Sequence, residues 1–298
     1  SRPLAAYFTH REEEPPNSAK AKQFDEVARR VDLRIVTAAM YHSLLLEHGP
    51  AIQIAPPVER HRFVIPDGRR NSQLVAGFSG YTYSNGRKGE DLARKLVAAS
   101  AHRNDIEWRA SGRGWPVPTK RYRWADMPAF YQSLDILVVT ALVEGVPMPP
   151  LEALACGVSV VIPRGVGLLD ELPETLGIHR YGRGDATDIM RAFGEAIKAR
   201  PDVDREALRA ATEPYTIENW CEQHRRAFEE LLDLEEPASA VKPIAAPEVI
   251  EVEKHETRGI YAVAFGDPAR ACAQRMMETA KKHMPEIPIA LCGEEPVG

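Results

Sequence analysis

The sequence predicts an α/β protein, with mostly parallel sheets covered on both faces by helices. Three observations carry that prediction. Short apolar runs rich in β-branched residues, such as 136–140 (ILVVT) and 158–162 (VSVVI), read as fully buried strands. Segments with apolar residues at helical spacing alternate with those runs. Gly and Pro punctuate the junctions.

Taken in order, residues 3–9 (PLAAYFT) read as a strand ending at His10. A polar stretch, REEEPPNS, follows, and its Glu12-Glu13-Glu14 run is most simply a solvated acidic face. A helix is expected from 18 to 30, a strand over 33–37, a short helix over 40–48 closed by Gly49, and a strand over 52–54 running into Pro56-Pro57. A strand over 74–79 (LVAGFS) leads into a long loop, 80–86, then Arg87-Lys88-Gly89 and a helix over 90–100. Residues 106–110 form the next strand, followed by Gly112-Arg113-Gly114. A helix over 127–134 delivers the chain into the strand that Asp135 opens. Residues 185–198 and 204–212 read as helices, and 217–232 (IENWCEQHRRAFEELL) has the clearest amphipathic pattern.

Residues 233–257 lose periodicity and are rich in Ala, Pro and charge, as in a linker. Beyond it, a strand over 259–265, a helix over 267–283 with Asp267 as N-cap and Pro268 at its first position, and a strand over 287–292 form one βαβ unit. That unit begins a further α/β domain and is expected to pack poorly alone, or to lean on the domain before it.

At 298 residues the chain has room for about two domains and a sizeable core. With 38 basic and 43 acidic residues its formal charge is −5, which argues against a general nucleic-acid or anionic-membrane surface. A local basic patch and peripheral membrane association are left open. Cys156, Cys221, Cys272 and Cys292 are scattered with no CxxC pair, as expected of thiols in a reducing, cytoplasmic compartment rather than of a disulfide framework or zinc site. No apolar run approaches the ~20 residues that span a bilayer, and no signal peptide is visible. The chain starts at Ser1 and not at Met, so the native N-terminus is expected to be absent.

The chemistry concentrates in 135–161, DILVVTALVEGVPMPPLEALACGVSVV. Prolines 147, 149 and 150 forbid one continuous helix through the segment. Glu144 is therefore placed in a loop, and Glu152 in the first turn of a helix over 151–156 that Pro150 opens and Gly157 stops. A helix N-terminus in a βαβ unit is a seat for phosphate, with Gly145, Val146, Met148 and Leu151 as its N–H donors. Gly145 also admits close backbone approach of a ligand. Two carboxylates beside an anion seat suit a nucleotide diphosphate sugar, anionic in the middle and hydroxylated at both ends.

The string EGVPMPPLEALACGVSVV resembles the signature of family 4 retaining glycosyltransferases, the group 1 donor domain of the GT-B type. The resemblance covers about 3–232 and is strongest over 74–200. It implies two Rossmann-like parallel sheets: a partial acceptor-side domain over 1–60 and a nucleotide-sugar donor domain over 61–232, then the linker and a truncated unit over 258–298. By resemblance, Glu144 binds hydroxyls of the donor sugar and Glu152 the nucleotide ribose. Lys88, with Gly89 behind it, neutralises the diphosphate leaving group as a fixed cation, without a metal or cofactor. The family usually carries an arginine directly after the strand-end glycine, whereas here Tyr81 follows Gly80, and Arg87 is the substitute if the longer loop folds back. His10 resembles the family's strand-end histidine that reaches the donor sugar. Glu59 sits where the family often has an aspartate, and a structural role fits it better. Gly165 and Gly167 fall in a loop facing the cleft, where turn chemistry alone also explains them. The Asp202-Val203-Asp204 triplet imitates a metal-binding DxD, but Asp204 reads as an N-cap.

The implied activity is sugar transfer from a nucleotide-diphosphate donor to a glycan or other acceptor, with the leaving phosphate taking the acceptor's proton. Two alternatives stand beside it. One is a sugar-nucleotide epimerase or hydrolase of the same fold. The other is a fragment that binds a nucleotide sugar without turnover.

Overall fold

The computed structural model describes residues 3–11, 18–68, 73–233, 260–263, 278, 282 and 289–292. The chain divides into two compact units, 1–232 and 233–298.

The first unit is built on a six-stranded, wholly parallel sheet. Its strands are β4 (Leu74–Tyr81), β5 (Ile106–Arg113), β6 (Thr119–Lys120), β7 (Ile136–Val138), β8 (Ser159–Pro163) and β9 (Ile178–Tyr181), in the order β6-β5-β4-β7-β8-β9. Strand order reverses between β4 and β7. At such a switch point the connections leave in opposite directions, and a crevice opens at the carboxyl ends of the strands. Helix α3 (Glu90–Ala99) and α6 (Ala186–Ala199) share one core with the sheet, around Phe78, Trp108, Phe193 and Ile189. Helix α4 (Met127–Gln132) and α5 (Met148–Ala155) contribute Tyr131, Leu151 and Leu154 to a second core. With helices taking up apolar side chains from both faces, β7 and β8 are buried at every residue, which is why they read as unbroken apolar runs.

A second parallel sheet, β1 (Ala5–Phe8), β2 (Leu33–Val36) and β3 (Ala51–Gln53), lies in the same unit in the order β1-β2-β3. Helix α1 (Ala19–Arg30) starts at Ser18, whose hydroxyl accepts from the Ala21 amide at 3.0 Å. The expected helix over 40–48 is a 3-10 turn, Ala39–Tyr41, followed by α2 (His42–Leu46). Phe8, Val36, Tyr41 and Leu45 join the α4–α5 core, so the small sheet and the large one are held by shared apolar packing. Helix α7 (Arg205–Ala210) is capped by Asp204, which accepts from Glu206 and Ala207, in keeping with the N-cap reading. Helix α8 (Ile217–Asp233) returns to the small sheet, where the His224 ring stacks on Tyr7 of β1 at 5.4 Å.

Element boundaries near the crevice differ from the sequence expectation: β5 runs on to Arg113 where 110 was expected, and β7 ends at Val138 where 140 was expected. Strand β4 runs on through Tyr81, in register with Arg113, where the expectation ended it at Ser79. Gly112, at φ +105°, makes this possible by leaving room for the Gly80 carbonyl. Helix α5 begins at Met148, three residues earlier than expected, with Pro147 as its N-cap. Pro149 and Pro150 fit its first turn because N–H groups there have no helical partner to lose. Glu152 therefore lies in the second turn, not the first.

In the second unit, β10 (Ile260–Val263) and β11 (Ile289–Cys292) form a parallel pair, with residues 278 and 282 helical. The rest of that expected helix, including Asp267 and Pro268, lies outside the described residues. So do the linker beyond Asp233, the Glu12–Glu14 run and Cys272.

Candidate functional site

The crevice at the β4–β7 reversal gathers most of the residues singled out in the sequence. The β4–α3 loop and the loop after β7 are stitched together there. The Leu142 amide donates to the Arg87 carbonyl at 2.8 Å, and the Thr140 hydroxyl donates to the Lys88 carbonyl at 2.6 Å. Gly89, at φ +70°, packs so closely on the Thr140 carbonyl that a side chain has no space. This stitching sets Lys88 beside Glu144, and Lys88 Nζ pairs directly with Glu144 Oε1. The side chains are only 16% and 11% exposed. Attraction at that burial is screened far less than on an open surface.

The small sheet supplies the other wall. His10 follows β1, with Nδ1 3.1 Å from the Thr9 hydroxyl and Nε2 3.2 Å from Arg87 Nη1. The Arg87 guanidinium lies over the Tyr83 ring, 4.5 Å from its centroid. His10, the Arg87-Lys88 pair and Glu144, far apart in sequence, thus form one cluster from two sheets. Gly145 belongs to it too, in another capacity than expected. The close backbone approach it permits is made by the protein's own Thr9 carbonyl, which occupies the space a side chain would need. The Gly145 carbonyl in turn accepts from Leu168 at 2.9 Å, and Gly167 packs against it.

The head of α5 is poorer in donors than the sequence suggests. A helix leaves its first four N–H groups without partners, from the N-cap through the third residue. Here three of those four positions are Pro147, Pro149 and Pro150, so only Met148 has an N–H to offer. Leu151 sits one position further in, where its amide falls within the helix's own bonding, and its side chain is core. The early helix start thus removes Leu151 from the open donors. Beside this head is a cavity of only about 20 Å³, lined by Ser79, Lys88, Trp115, Thr140, Pro147 and Pro150 among others. That is room for about one water.

Neither Glu144 nor Glu152 lines this hollow, and Glu152 lies apart from the Lys88–Glu144 pair. It is 3% exposed, with Tyr131 of α4, Glu59 and Arg62 near enough to act on its charge. Burial raises its carboxyl to about 7, against the lowering pull of Tyr131. The Tyr131 hydroxyl is 3.0 Å from Ser79, which lines the cavity. Tyr131 thus sits between Ser79 on the hollow's wall and the buried Glu152 carboxyl, hydrogen-bonded to the former and acting electrostatically on the latter. Glu59 pairs with Arg62 at 2.5 Å, a structural contact.

Gly80, at φ +107°, has open space where a side chain would stand, and its carbonyl accepts from the Trp115 indole at 2.8 Å. Val146 and Met148 are half-buried beside the core. The Gly165 amide is taken up by Asp170 at 2.8 Å, a turn contact. Sequence reasoning missed Thr9, Ser79, Trp115, Tyr131 and Glu171. Glu171 ties the loop after β8 to the small sheet, accepting from the Ala39 amide at 2.7 Å and from Gln53 at 2.5 Å. None of these residues stands in a motif; only folding brings them to the crevice. Among the described residues no group of His, Cys, Asp and Glu is arranged to hold a metal ion, and no helix is long and apolar enough to cross a membrane.

A family model described as "Glycosyl transferases group 1" matches residues 119–198, which include the loop of Glu144 and helix α5. No curated protein sequence matches the chain. Among solved structures, sucrose-phosphate synthase from Thermosynechococcus elongatus is similar at a TM-score of 0.64 and 17% identity, covering 75% of this chain and 64% of that one. HepE from Anabaena, solved in complex with UDP, is similar at 0.63 and 13% identity, covering 77% and 72%. The pneumococcal O-GlcNAc transferase GtfA, in complex with UDP and GlcNAc, is similar at 0.63 and 13%, covering 77% and 53%. This chain therefore spans just under two thirds of the sucrose-phosphate synthase and about half of GtfA. The likeness establishes the fold, GT-B-like parallel α/β sheets flanked by helices.

Proposed function

We propose that the chain is the donor-handling part of a retaining, metal-independent glycosyltransferase of the family 4 type, acting on a nucleotide-diphosphate sugar. The observation that carries this reading is the half-buried Lys88–Glu144 pair at the strand-order reversal, with His10 and Arg87 against it from the facing sheet. Sugar transfer from such a donor needs a cation where the departing diphosphate gathers charge, and a carboxylate where sugar hydroxyls must be held. Lys88 and Glu144 are those two groups. In the form described they satisfy each other. A diphosphate draws Lys88 away, and the freed Glu144 carboxylate then accepts from the sugar. Donor binding and catalytic arming are thereby one event. At about 20 Å³ the hollow must widen to admit the donor. The leaving phosphate takes the acceptor's proton, so no separate base is needed.

A thermal-shift panel of UDP, GDP, ADP and their sugars tests this, because a ligand selective for the folded form stabilises it in proportion to affinity. One nucleotide sugar should raise the melting temperature of the wild type and not that of Lys88→Ala. A flat panel would remove the reading. One observation favours a second reading, donor binding without turnover: the prolines strip the α5 head of three of its four open amides. Saturable binding with release of sugar at background, with or without glycan acceptors, would select it.

A further inference from the structure

A second cleft, of about 600 Å³, opens on the α3 side of the same crest. Its walls include Thr82, Tyr83, Ser84, Glu90, Lys95 and Arg113, and none of the proposed donor residues His10, Lys88, Glu144 or Glu152 lines it. The volume falls in the range of small-molecule sites, about 300–1,000 Å³. Glu90 is the informative residue. It is 7% exposed, and its Oε1 accepts from the Tyr83 amide at 2.9 Å. Its Oε2 is buried and has no partner among the described residues. A buried carboxylate oxygen without a donor is costly, and a ligand hydroxyl would satisfy it. Lys95 and Arg113, exposed at the walls, have no carboxylate partner among the described residues, whereas their neighbour Arg94 is paired with Asp91. Hydroxyls from Thr82 and Ser84 complete a lining that offers acceptors and donors together with an unspent positive charge.

We propose that this cleft binds an anionic sugar. A ring hydroxyl donates to Glu90 Oε2, and the sugar's carboxylate or phosphate meets Lys95 and Arg113. Such a ligand satisfies the buried acceptor and both cations at once, which a neutral sugar or a bare anion does not. The inference stands on the α3 cleft alone and does not depend on the Lys88 site.

The test is calorimetric titration of the full chain with trigalacturonate, glucose 6-phosphate, neutral galactotriose and inorganic phosphate. Either acidic sugar should bind at least about tenfold more tightly than galactotriose and phosphate, and the tighter of the two identifies the anionic group. The Lys95→Ala/Arg113→Ala double variant, altered only at exposed positions, should bring the acidic sugar down to the galactotriose level while UDP and its sugars bind as before. Glu90→Gln keeps an amide oxygen for the Tyr83 N–H and should weaken every sugar by about fivefold or more, the loss of one charge-assisted bond. Its melting curve reports whether the loop is intact. Galactotriose or phosphate binding as tightly as the acidic sugars would overturn the proposal. So would equal binding by the double variant, or a parallel loss of nucleotide-sugar affinity in that variant.

Discussion

Two helix heads stand at the same edge of the same sheet and are built on opposite principles. The head of α5 is rigid, apolar and closed. Prolines fill its first turn, the Lys88 cation beside it is taken by Glu144, and its cavity has room for about one water. The head of α3 starts at a left-handed glycine with no side-chain cap, beside a wide cleft whose Lys95 and Arg113 have no carboxylate partner among the described residues. The contrast shows that a helix N-terminus is not by itself a phosphate site. Proline abolishes the N–H donors and leaves only the dipole, so recognition at α5 has to pass to side chains. On the proposed reading, the α5 crevice works through Lys88 and Glu144, not through backbone amides.

The comparison breaks most sharply at Lys88. Replacing it by alanine strands a mostly buried carboxylate, and chemical denaturation should show a loss of about 3 kcal/mol. A Lys88→Met/Glu144→Gln double variant should recover most of that loss. Additive losses in the cycle would mean that the pair contributes nothing as a pair.

The next effect belongs to pH. Glu152 is raised to about 7 in the fold from an ordinary value of 4.5. Stability is therefore full below about 4.5 and falls as pH rises, levelling off above 7, by about 3 kcal/mol in total. Glu152→Gln should flatten that slope between pH 5 and about 7 relative to wild type. His224 acts in the other direction. Burial lowers it to about 4, so its contribution is present above about 6.5 and is lost as pH falls through 4. His224→Phe should remove acid sensitivity in that window, read from denaturation midpoints at stepped pH. An unaltered pH profile in either variant would detach the slope from that residue.

Gly145→Ala should cost about 1–3 kcal/mol, because a methyl group meets the Thr9 carbonyl. A neutral outcome would show that the two sheets separate freely at that contact. The smallest expected effect is a gain. Pro149→Ala restores one amide to the α5 head and should tighten nucleoside diphosphate binding by a few fold, about 0.5–1 kcal/mol.

The architecture was largely legible in the sequence because β7 and β8 are buried on both faces and therefore read as continuous apolar runs. Glu144, Lys88 and His10 were legible through the resemblance of their local motifs to the family 4 pattern, each at the end of a strand or in the loop that follows it. The start of α5 was not, since Pro149-Pro150 reads equally as the stop of a loop or the first turn of a helix. Thr9 against Gly145 and Tyr131 beside Glu152 bring together segments distant in sequence, and the unpartnered oxygen of Glu90 depends on the packing around it. No local pattern encodes them.

Calorimetric titration of UDP-, GDP- and ADP-sugars into wild type, Lys88→Ala and Lys95→Ala chains tests the central claim most directly. If the donor is gripped by the Lys88 side chain at the proline-led helix, one sugar nucleotide binds the wild type. Lys88→Ala then weakens it by at least about tenfold, while Lys95→Ala leaves it unchanged. Undiminished affinity in Lys88→Ala, or a loss confined to Lys95→Ala, would contradict that claim.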